Sequence, residues 1–246
     1  MRPGGAVLYL GDIAGIRLTV SLWRSSPALQ KCFRELVSMV ELNAILFDAD
    51  GVIQRVPADI KRRLARALGG TEDEIDACVT DFFTAETQAM TGAADFAEVI
   101  LPVLAMRNST YDIPALWAEW HTFEVDQSIL SLIADLRRSG IYCALASNQE
   151  RHRARHMSEV LAYSLAFDRE FYSCHIGHAK PSTQYFNEIV RLAALDPRRT
   201  LFIDDRAENV EAARQAGLHA AQFVLDEVGF GANPMRLLLA TFGLNT

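Results

Sequence analysis

The sequence predicts an α/β fold, with a doubly wound, Rossmann-like parallel sheet as its core and a small all-helical cap domain inserted after the first strand. Short apolar runs alternate with amphipathic helical stretches, a pattern typical of βαβ units in a parallel sheet. Residues 57–120 interrupt this alternation with helical patterns alone, which indicates an insertion. A chain of 246 residues, half of them hydrophobic, is long enough to bury such a core.

The first strand and the inserted helices have clear boundary signals. Ala44–Phe47 is an apolar run that ends at the turn sequence Asp48-Ala-Asp-Gly51, as expected for a buried strand. Within residues 57–120, the Gly69-Gly70 pair ends one helix, and Thr71-Glu-Asp-Glu74 is a capping-box pattern that begins the next. No strand pattern occurs within this stretch.

The second half of the chain returns to alternating elements. Glycines end two of its predicted helices, and Ser182 is a favourable N-cap for another. The predicted strands are 141–146, 171–173, 200–203 and 220–224, and the predicted helices are 129–138, 150–161, 182–195 and 207–216.

These elements divide the chain into three parts. The α/β core is predicted to comprise residues 39–54 and 126–246, and the helical cap residues 55–125. Residues 1–38 are richer in basic than in acidic residues, although the whole chain has a net charge of −7. We expect them to be an extension that is either poorly ordered or not native, with Met39 as the natural start and a short helix near 27–40.

The composition disfavours several classes of protein. A net charge of −7 argues against non-specific nucleic-acid binding, and no apolar run is long enough to span a membrane. The four cysteines form no C-x-x-C pair and are expected to be buried hydrophobic residues. We therefore expect a cytoplasmic protein that binds neither nucleic acid nor membrane.

Polar residues follow three of the predicted strands, and a lysine precedes a helix in the same layer. Ligands of open α/β sheets bind at the carboxyl ends of the strands, so these residues are expected to converge. They are Asp48 and Asp50, Ser147 and Asn148, Lys180, and Asp204 and Asp205.

Such a cluster suits phosphoryl transfer. Crowded carboxylates with no His or Cys partner favour Mg²⁺, which commonly binds carboxylates together with a substrate phosphate. One carboxylate can attack phosphorus, and a second can protonate the leaving oxygen. Lysine offers a positive charge to the phosphate, while a serine hydroxyl and backbone N–H groups donate hydrogen bonds to it.

The four motifs, in this order, resemble those of the haloacid dehalogenase (HAD) superfamily. Their spacing is similar to that of the subgroup with a helical cap after the first motif, subfamily IA. The stretches Ser147-Asn-Gln-Glu-Arg-His152 and Asp204-Asp-Arg-Ala-Glu-Asn-Val210 resemble a branch that contains sugar-phosphate phosphatases and the N-terminal domains of some epoxide hydrolases.

The resemblance implies a role for each motif residue. Asp48 would be the nucleophile, and Asp50 the general acid and then base. Ser147 and the backbone of Asn148 would bind the transferring phosphoryl group, and Lys180 would balance charge between that group and Asp48. The implied Mg²⁺ ligands are Asp48, the main-chain carbonyl of Asp50, Asp204 and Asp205.

The expected function is Mg²⁺-dependent hydrolysis of a small phosphate monoester, a sugar phosphate or similar metabolite, through a phospho-aspartyl intermediate. A phosphomutase of the same fold and a non-catalytic ligand-binding member remain alternatives. A dehalogenase is disfavoured, since dehalogenases of the superfamily lack an acid at the position of Asp50. The expected partner is a small phosphorylated metabolite, and the protein is expected to be a monomer or homodimer.

Two further patterns allow more than one interpretation. The basic run Arg151–His156 is typical of a solvated helix face that raises the local positive potential, with a nucleic-acid patch as the alternative. The aromatic residues of the inserted stretch are predicted to form its core, and some of them to line a substrate pocket. These are Phe82, Phe83, Trp117 and Trp120.

Overall fold

The computed structural model describes residues 9–13, 16–19, 41–225, 229 and 231–244. Its strands are β1 (Tyr9–Ile13), β2 (Ile16–Thr19), β3 (Ala44–Phe47), β4 (Gln54–Arg55), β5 (Glu124–Val125), β6 (Tyr142–Ser147), β7 (Arg169–Tyr172), β8 (Thr200–Asp204) and β9 (His219–Gln222). Its α-helices are α1 (Ile60–Ala67), α2 (Ile75–Ala89), α3 (Phe96–Met106), α4 (Ile113–Trp120), α5 (Gln127–Arg138), α6 (Arg151–Glu159), α7 (Tyr163–Ala166), α8 (Ser173–Ile176), α9 (Thr183–Ala193), α10 (Ala207–Gln215) and α11 (Ala232–Thr241).

The central sheet has five strands in the order β7-β6-β3-β8-β9, and every neighbouring pair is parallel. Strand β3 lies in the middle, with Phe47 opposite Leu145 of β6 and Ile203 of β8. The carboxyl ends of three adjacent strands therefore meet at one point of the sheet edge. The predicted parallel α/β fold is confirmed.

Helices cover both faces of the sheet, as the doubly wound prediction requires. Alternate residues of β3 separate the two layers: Ile45 and Phe47 pack in one buried cluster and Leu46 in the other. Helices α5, α6 and α11 contribute buried residues to the first cluster, and helices α9 and α10 to the second. Burial on both faces explains why these strands are continuous apolar runs in the sequence.

The inserted helices form a unit with an apolar cluster of its own. Helices α1 to α4, with the 3-10 turn Glu72–Glu74, make up this helical unit (residues 60–120). The predicted capping box is present, because the Glu74 carboxylate accepts a hydrogen bond from the Thr71 N–H at 2.9 Å. Two short strands, β4 and β5, pair antiparallel where the chain enters and leaves the unit.

Several elements differ from the sequence-based expectations. Strands β7 and β9 begin two residues and one residue earlier than predicted, and α7, α8, α11 and the β4–β5 pair were not predicted. Strands β1 and β2 form an antiparallel pair within the N-terminal 38 residues. The prediction for the rest of that extension, including the helix near 27–40, lies outside the described residues.

The described residues include three of the four cysteines, and Cys32 lies outside them. Cys78, Cys143 and Cys174 are buried free thiols, as expected of small hydrophobic residues. Within the described ranges, no helix combines the length and the apolar character needed to traverse a bilayer.

The helical unit contacts the core through the loop of residues 90–95, which we call the docking loop. The Ser173 hydroxyl donates to the main-chain oxygen of Met90 at 2.6 Å, and the Arg151 guanidinium donates to that of Gly92 at 2.9 Å. Gly92 has a φ of +74°, and a Cβ there would overlap the carbonyl oxygen of Cys174. The docking loop can approach the core this closely only because residue 92 is a glycine.

Gly92→Ala is therefore expected to weaken the packing of the helical unit on the core. Gly140→Ala is the matched control, since Gly140 also has a positive φ but no atom within 4 Å of the added Cβ. The control bears only the backbone penalty of about 1 kcal/mol, and Gly92→Ala is expected to lose at least about 1 kcal/mol more. Urea denaturation measures both losses, and equal losses would contradict the predicted clash.

Candidate active site

The Lys180 ammonium occupies the point where three strands end. Its Nζ lies 2.9 Å from Asp48 Oδ1, donates to Asp204 Oδ2 at 2.6 Å and donates to the main-chain oxygen of Ala146 at 3.0 Å. These acceptors lie at the carboxyl ends of β3, β8 and β6. All three charged side chains are buried, so the ion pairs act in a medium that screens them little.

The two carboxylates that share Lys180 have different environments. Asp204 also accepts hydrogen bonds from the Arg206 N–H at 2.8 Å and from the Asn209 amide at 2.9 Å. Although burial acts to raise it, the neighbouring Lys180 charge and these bonds lower the pKa of Asp204. Burial raises the pKa of Asp48 to about 8, against the lowering effect of Lys180.

Asp48, Asp204 and Asp205 each offer a carboxylate oxygen within 4.8 Å of the others, an arrangement that could hold a metal ion. Burial and the nearby Asp204 raise the pKa of Asp205 to about 6. Gly51 permits this approach, because a Cβ there would lie 2.5 Å from Asp205 Oδ2. Three carboxylates with only one lysine leave excess negative charge, and an all-oxygen donor set fits Mg²⁺.

Asp50 is fixed by hydrogen bonds from three separate segments. Its Oδ1 accepts from Gln54 Nε2 at 3.0 Å and from an Arg153 terminal nitrogen at 3.2 Å, and its Oδ2 accepts from Gln149 Nε2 at 2.7 Å. Gln54 is itself held by the Tyr163 hydroxyl, which donates to its Oε1 at 2.7 Å. The carboxyl group of Asp50 therefore has a defined orientation in front of the strand ends, close to Asp48.

The residues after β6 divide into two tasks. Ser147 is buried, and its Oγ accepts from Gln149 Nε2 at 3.2 Å. The Asn148 side chain instead pairs with the backbone of Lys180: Nδ2 donates to the Lys180 oxygen and Oδ1 accepts from the Lys180 N–H, both at 2.9 Å. Asn148 thus positions the lysine through its side chain, while its backbone stays at the strand end.

All the residues predicted from the motifs lie at this one edge of the sheet, but the supporting residues were not predicted. Gln54, Gln149, Arg153 and Asn209 are buried polar residues that hold Asp50 or Asp204. Gln54 and Gln149 each lie close in sequence to a motif residue, which is the signal that could have indicated them. Nothing comparable distinguishes Arg153 in a basic run.

The interpretation of the run Arg151–His156 as a solvated face was wrong for most of its residues. Besides the Arg151 bond to the docking loop, His152 Nε2 lies 2.8 Å from Asp95 Oδ1 and His156 stacks on His121 at 4.8 Å. Arg153 is 4 % exposed, and its guanidinium lies 3.8 Å from the Trp120 ring centroid. The exposed Arg155 pairs with Glu159, so the run mainly joins helix α6 to the helical unit.

The helical unit contributes a buried carboxyl group of its own. Glu86 on α2 is 5 % exposed, and the charges of Arg153, Glu150 and Asp50 act on it. Burial raises the pKa of Glu86 to about 7, while the charge of Arg153 and the indole of Trp120 act to lower it. The predicted aromatic core of the unit is present in Phe82 and Trp120, whereas Phe83 is 40 % exposed.

Comparison with known sequences gives a family and a curated relative. Residues 42–217 match the model of the haloacid dehalogenase-like hydrolases. The D-ribitol-5-phosphate phosphatase of Bacteroides thetaiotaomicron is 23 % identical over 187 residues, which cover 72 % of this chain and 90 % of the relative.

Solved structures show the same fold. A predicted HAD-like family hydrolase from Porphyromonas gingivalis superposes with a TM-score of 0.68 at 21 % identity, covering 81 % of this chain and 98 % of that one. A HAD family enzyme of Bacteroides thetaiotaomicron, in complex with magnesium and inorganic phosphate, gives a TM-score of 0.62 at 20 % identity, covering 74 % and 93 %.

The raised pKa of Glu86 predicts a specific pH dependence of stability. The folded protein binds this proton more tightly than the unfolded chain, so the stabilisation is complete below about pH 4.5 and is lost as the pH rises through 7. Relative to Glu86→Gln, the wild-type free energy of unfolding should fall by about 2 kcal/mol between about pH 5 and 8.

Urea denaturation in EDTA measures this difference without interference from metal binding. Glu98→Gln is the control, because Glu98 is an exposed glutamate at the start of α3. A wild-type profile parallel to that of Glu86→Gln would contradict the prediction.

Proposed function

Because this chain belongs to the haloacid dehalogenase-like hydrolase family, we propose that it is a Mg²⁺-dependent phosphatase that hydrolyses small phosphate monoesters through a phospho-aspartyl intermediate. The observation that carries the proposal is the pairing of Asp48, bound to Lys180, with a second carboxyl group at Asp50 that lies in front of the same strand ends. A phosphate ester needs both, since its leaving oxygen must receive a proton. The relative that hydrolyses D-ribitol 5-phosphate supports a sugar phosphate or similar metabolite as substrate.

In the first step, a carboxylate oxygen of Asp48 attacks phosphorus and the bond between phosphorus and the leaving oxygen breaks. The described residues donate hydrogen bonds to Asp48 only at Oδ1, from Lys180 and the Ala49 N–H, so we assign the attack to Oδ2. Asp50 transfers its proton to the leaving oxygen, which departs as an alcohol. Lys180, Ser147 and the Asn148 backbone hold the phosphoryl oxygens during the transfer.

In the second step, water attacks the phosphorus of the phospho-aspartyl group, and Asp50 accepts a proton from that water. The bond between phosphorus and Asp48 breaks, which releases inorganic phosphate and restores the Asp48 carboxylate. Asp50 is again protonated, so the cycle consumes one water and forms one alcohol and one phosphate.

The proposed metal ligands are Asp48, the main-chain carbonyl of Asp50, Asp204 and Asp205. When bound there, Mg²⁺ offsets the negative charge of the carboxylates and of the phosphoryl group. The raised pKa values of Asp48 and Asp205 are consistent with carboxylates placed for a cation.

We propose that the helical unit is the cap that covers the substrate and excludes water. Trp120 of this unit packs against the guanidinium of Arg153, which donates to Asp50, and the charge of Asp50 acts on Glu86. The proposed partner is the phosphorylated metabolite alone, without nucleic acid or membrane, and the protein is proposed to be a cytoplasmic monomer or homodimer.

Phosphate release is expected to require both Asp48 and a divalent cation. Asp48→Asn removes the nucleophile and should lower kcat by about 10³-fold or more, and EDTA should abolish turnover until Mg²⁺ is restored. The assay uses sugar phosphates, phosphoglycolate, nucleotides and p-nitrophenyl phosphate. Release that persists in Asp48→Asn would exclude the phospho-aspartyl route.

Asp50→Asn is expected to separate substrates by their leaving groups. An alkoxide must be protonated as it leaves, so kcat/KM for a sugar phosphate should fall by about 10²-fold or more. The p-nitrophenolate ion leaves without a proton, so kcat/KM for p-nitrophenyl phosphate should fall by less than about 10-fold. Equal losses on both substrates would argue against an acid role for Asp50.

The same assays distinguish the alternatives. A phosphomutase would convert a labelled sugar phosphate into an isomer with little free phosphate. A binding protein would retain ligands in calorimetry without turnover, and a dehalogenase would release halide from a 2-haloacid.

A further inference from the structure

Two buried polar atoms beside Asp50 lack a hydrogen-bond partner among the residues that the structure describes. They are Nε of Arg153, a donor, and Oε1 of Gln149, an acceptor. Both residues are almost fully buried, 4 % and 1 % exposed. Because Gln149 Nε2 donates to the Asp50 carboxylate and to Ser147, the orientation of the amide is fixed and Oε1 faces away from them. Buried polar atoms are nearly always paired in native proteins, so these two require explanation.

A third group lies nearby on the other side of the domain junction. The Glu86 carboxyl group, from helix α2, is close enough to Arg153 and Asp50 for their charges to act on it. The Trp120 ring lies against the Arg153 guanidinium and separates it from solvent. The junction therefore contains two unpaired donors, Arg153 Nε and Trp120 Nε1, and one unpaired acceptor, Gln149 Oε1, beside the Glu86 carboxyl group.

The positions of Arg153 and Gln149 indicate which part of the substrate their unpaired atoms would contact. Asp50 delivers a proton to the leaving oxygen, so groups attached to Asp50 lie on the leaving-group side of the phosphoryl site. Arg153 and Gln149 each donate to Asp50 with one nitrogen and keep the unpaired atom on the same planar group. The unpaired atoms therefore lie within about two covalent bonds of nitrogens that contact the acid.

We propose that Arg153, Gln149 and Glu86 form a subsite for the hydroxyl groups of a polyol leaving group. This inference rests on the proposed phosphatase function and specifies its substrate class. A hydroxyl group both donates and accepts, so successive hydroxyls of one polyol can accept from Arg153 Nε and donate to Gln149 Oε1 and to Glu86. An alkyl leaving group leaves Arg153 Nε and Gln149 Oε1 unpaired, and one that carries a carboxylate meets the Glu86 carboxyl group.

Discrimination by such a subsite is large, because an analogue that lacks the hydroxyls leaves buried polar groups without partners. We expect kcat/KM for a pentitol 5-phosphate to exceed that for pentyl phosphate by about 100-fold or more. The two esters have the same chain length and the same type of leaving oxygen, so they differ only in the hydroxyl groups.

Glu86→Leu is the test variant, since it removes the carboxyl group without touching Asp50. It should reduce the preference for the pentitol ester over pentyl phosphate, measured as the ratio of their kcat/KM values, by about 10-fold or more. Glu86→Gln, which keeps the hydrogen-bonding atoms, should retain most of the preference. Glu98→Leu, an exposed substitution on α3, is the control.

Binding gives a second readout that is independent of turnover. In the Asp48→Asn protein with Mg²⁺, calorimetry should show tighter binding of the pentitol 5-phosphate than of pentyl phosphate, and adding Glu86→Leu should remove most of that difference. If Glu86→Leu does not fold, as judged by its thermal unfolding, the comparison rests on Glu86→Gln and on the two ligands in the Asp48→Asn protein.

Three results would overturn the subsite: equal wild-type rates on the two esters, equal losses on both in Glu86→Leu, or equal affinities in calorimetry. None of them affects the proposed function, provided that p-nitrophenyl phosphate hydrolysis still requires Mg²⁺ and Asp48. If the protein hydrolyses neither p-nitrophenyl phosphate nor any other ester, that result would instead contradict the phosphatase proposal.

Discussion

The arrangement of the site depends on one buried cation. The Lys180 ammonium contacts Asp48 after β3, the main-chain oxygen of Ala146 in β6 and Asp204 at the end of β8, and these are the three central strands of the sheet. A buried ammonium without partners would be strongly destabilising, so the folded chain keeps all three acceptors close to it. Asn148 holds the backbone of the lysine from both sides, which fixes where the ammonium lies.

The fold and the motif residues were predictable because both depend on local patterns. Apolar runs that end in polar residues mark the strand ends, and parallel strands place those ends together, so Asp48, Ser147 and Asp204 were expected to converge. The residues that support Asp50 were not predictable in the same way. Gln149 lies just before helix α6 and Arg153 within it, and both are almost fully buried, Gln149 against Asp50 and Ser147 and Arg153 against Trp120 of the helical unit. Burial of this kind depends on contacts between distant segments, which periodicity does not encode.

Burial by a distant segment also explains why the interpretation of the basic run Arg151–His156 as a solvated face was wrong. On helix α6, charged residues at successive positions are typical of a solvent-exposed face, and Arg155 has that role. The others meet the docking loop, Trp120 and His121, all of which come from the insertion. A sequence pattern shows which residues share a helix face but not whether another domain covers it. Burial also lowers the pKa values of His121 and His156, which favours the neutral rings that stack there beside Arg153.

Asp50 is linked to the helical unit through Arg153. Its three donors come from the entry strand β4, from the loop after β6 and from helix α6, and the last of these lies under Trp120 of the helical unit. Any displacement of the unit that moves Trp120 changes the packing of Arg153, and Arg153 in turn helps to orient the Asp50 carboxyl group. The position of the proposed acid is thus linked to the position of the unit that would cover the substrate. In the proposed reaction, selection of the leaving group and its protonation therefore depend on the same few buried side chains.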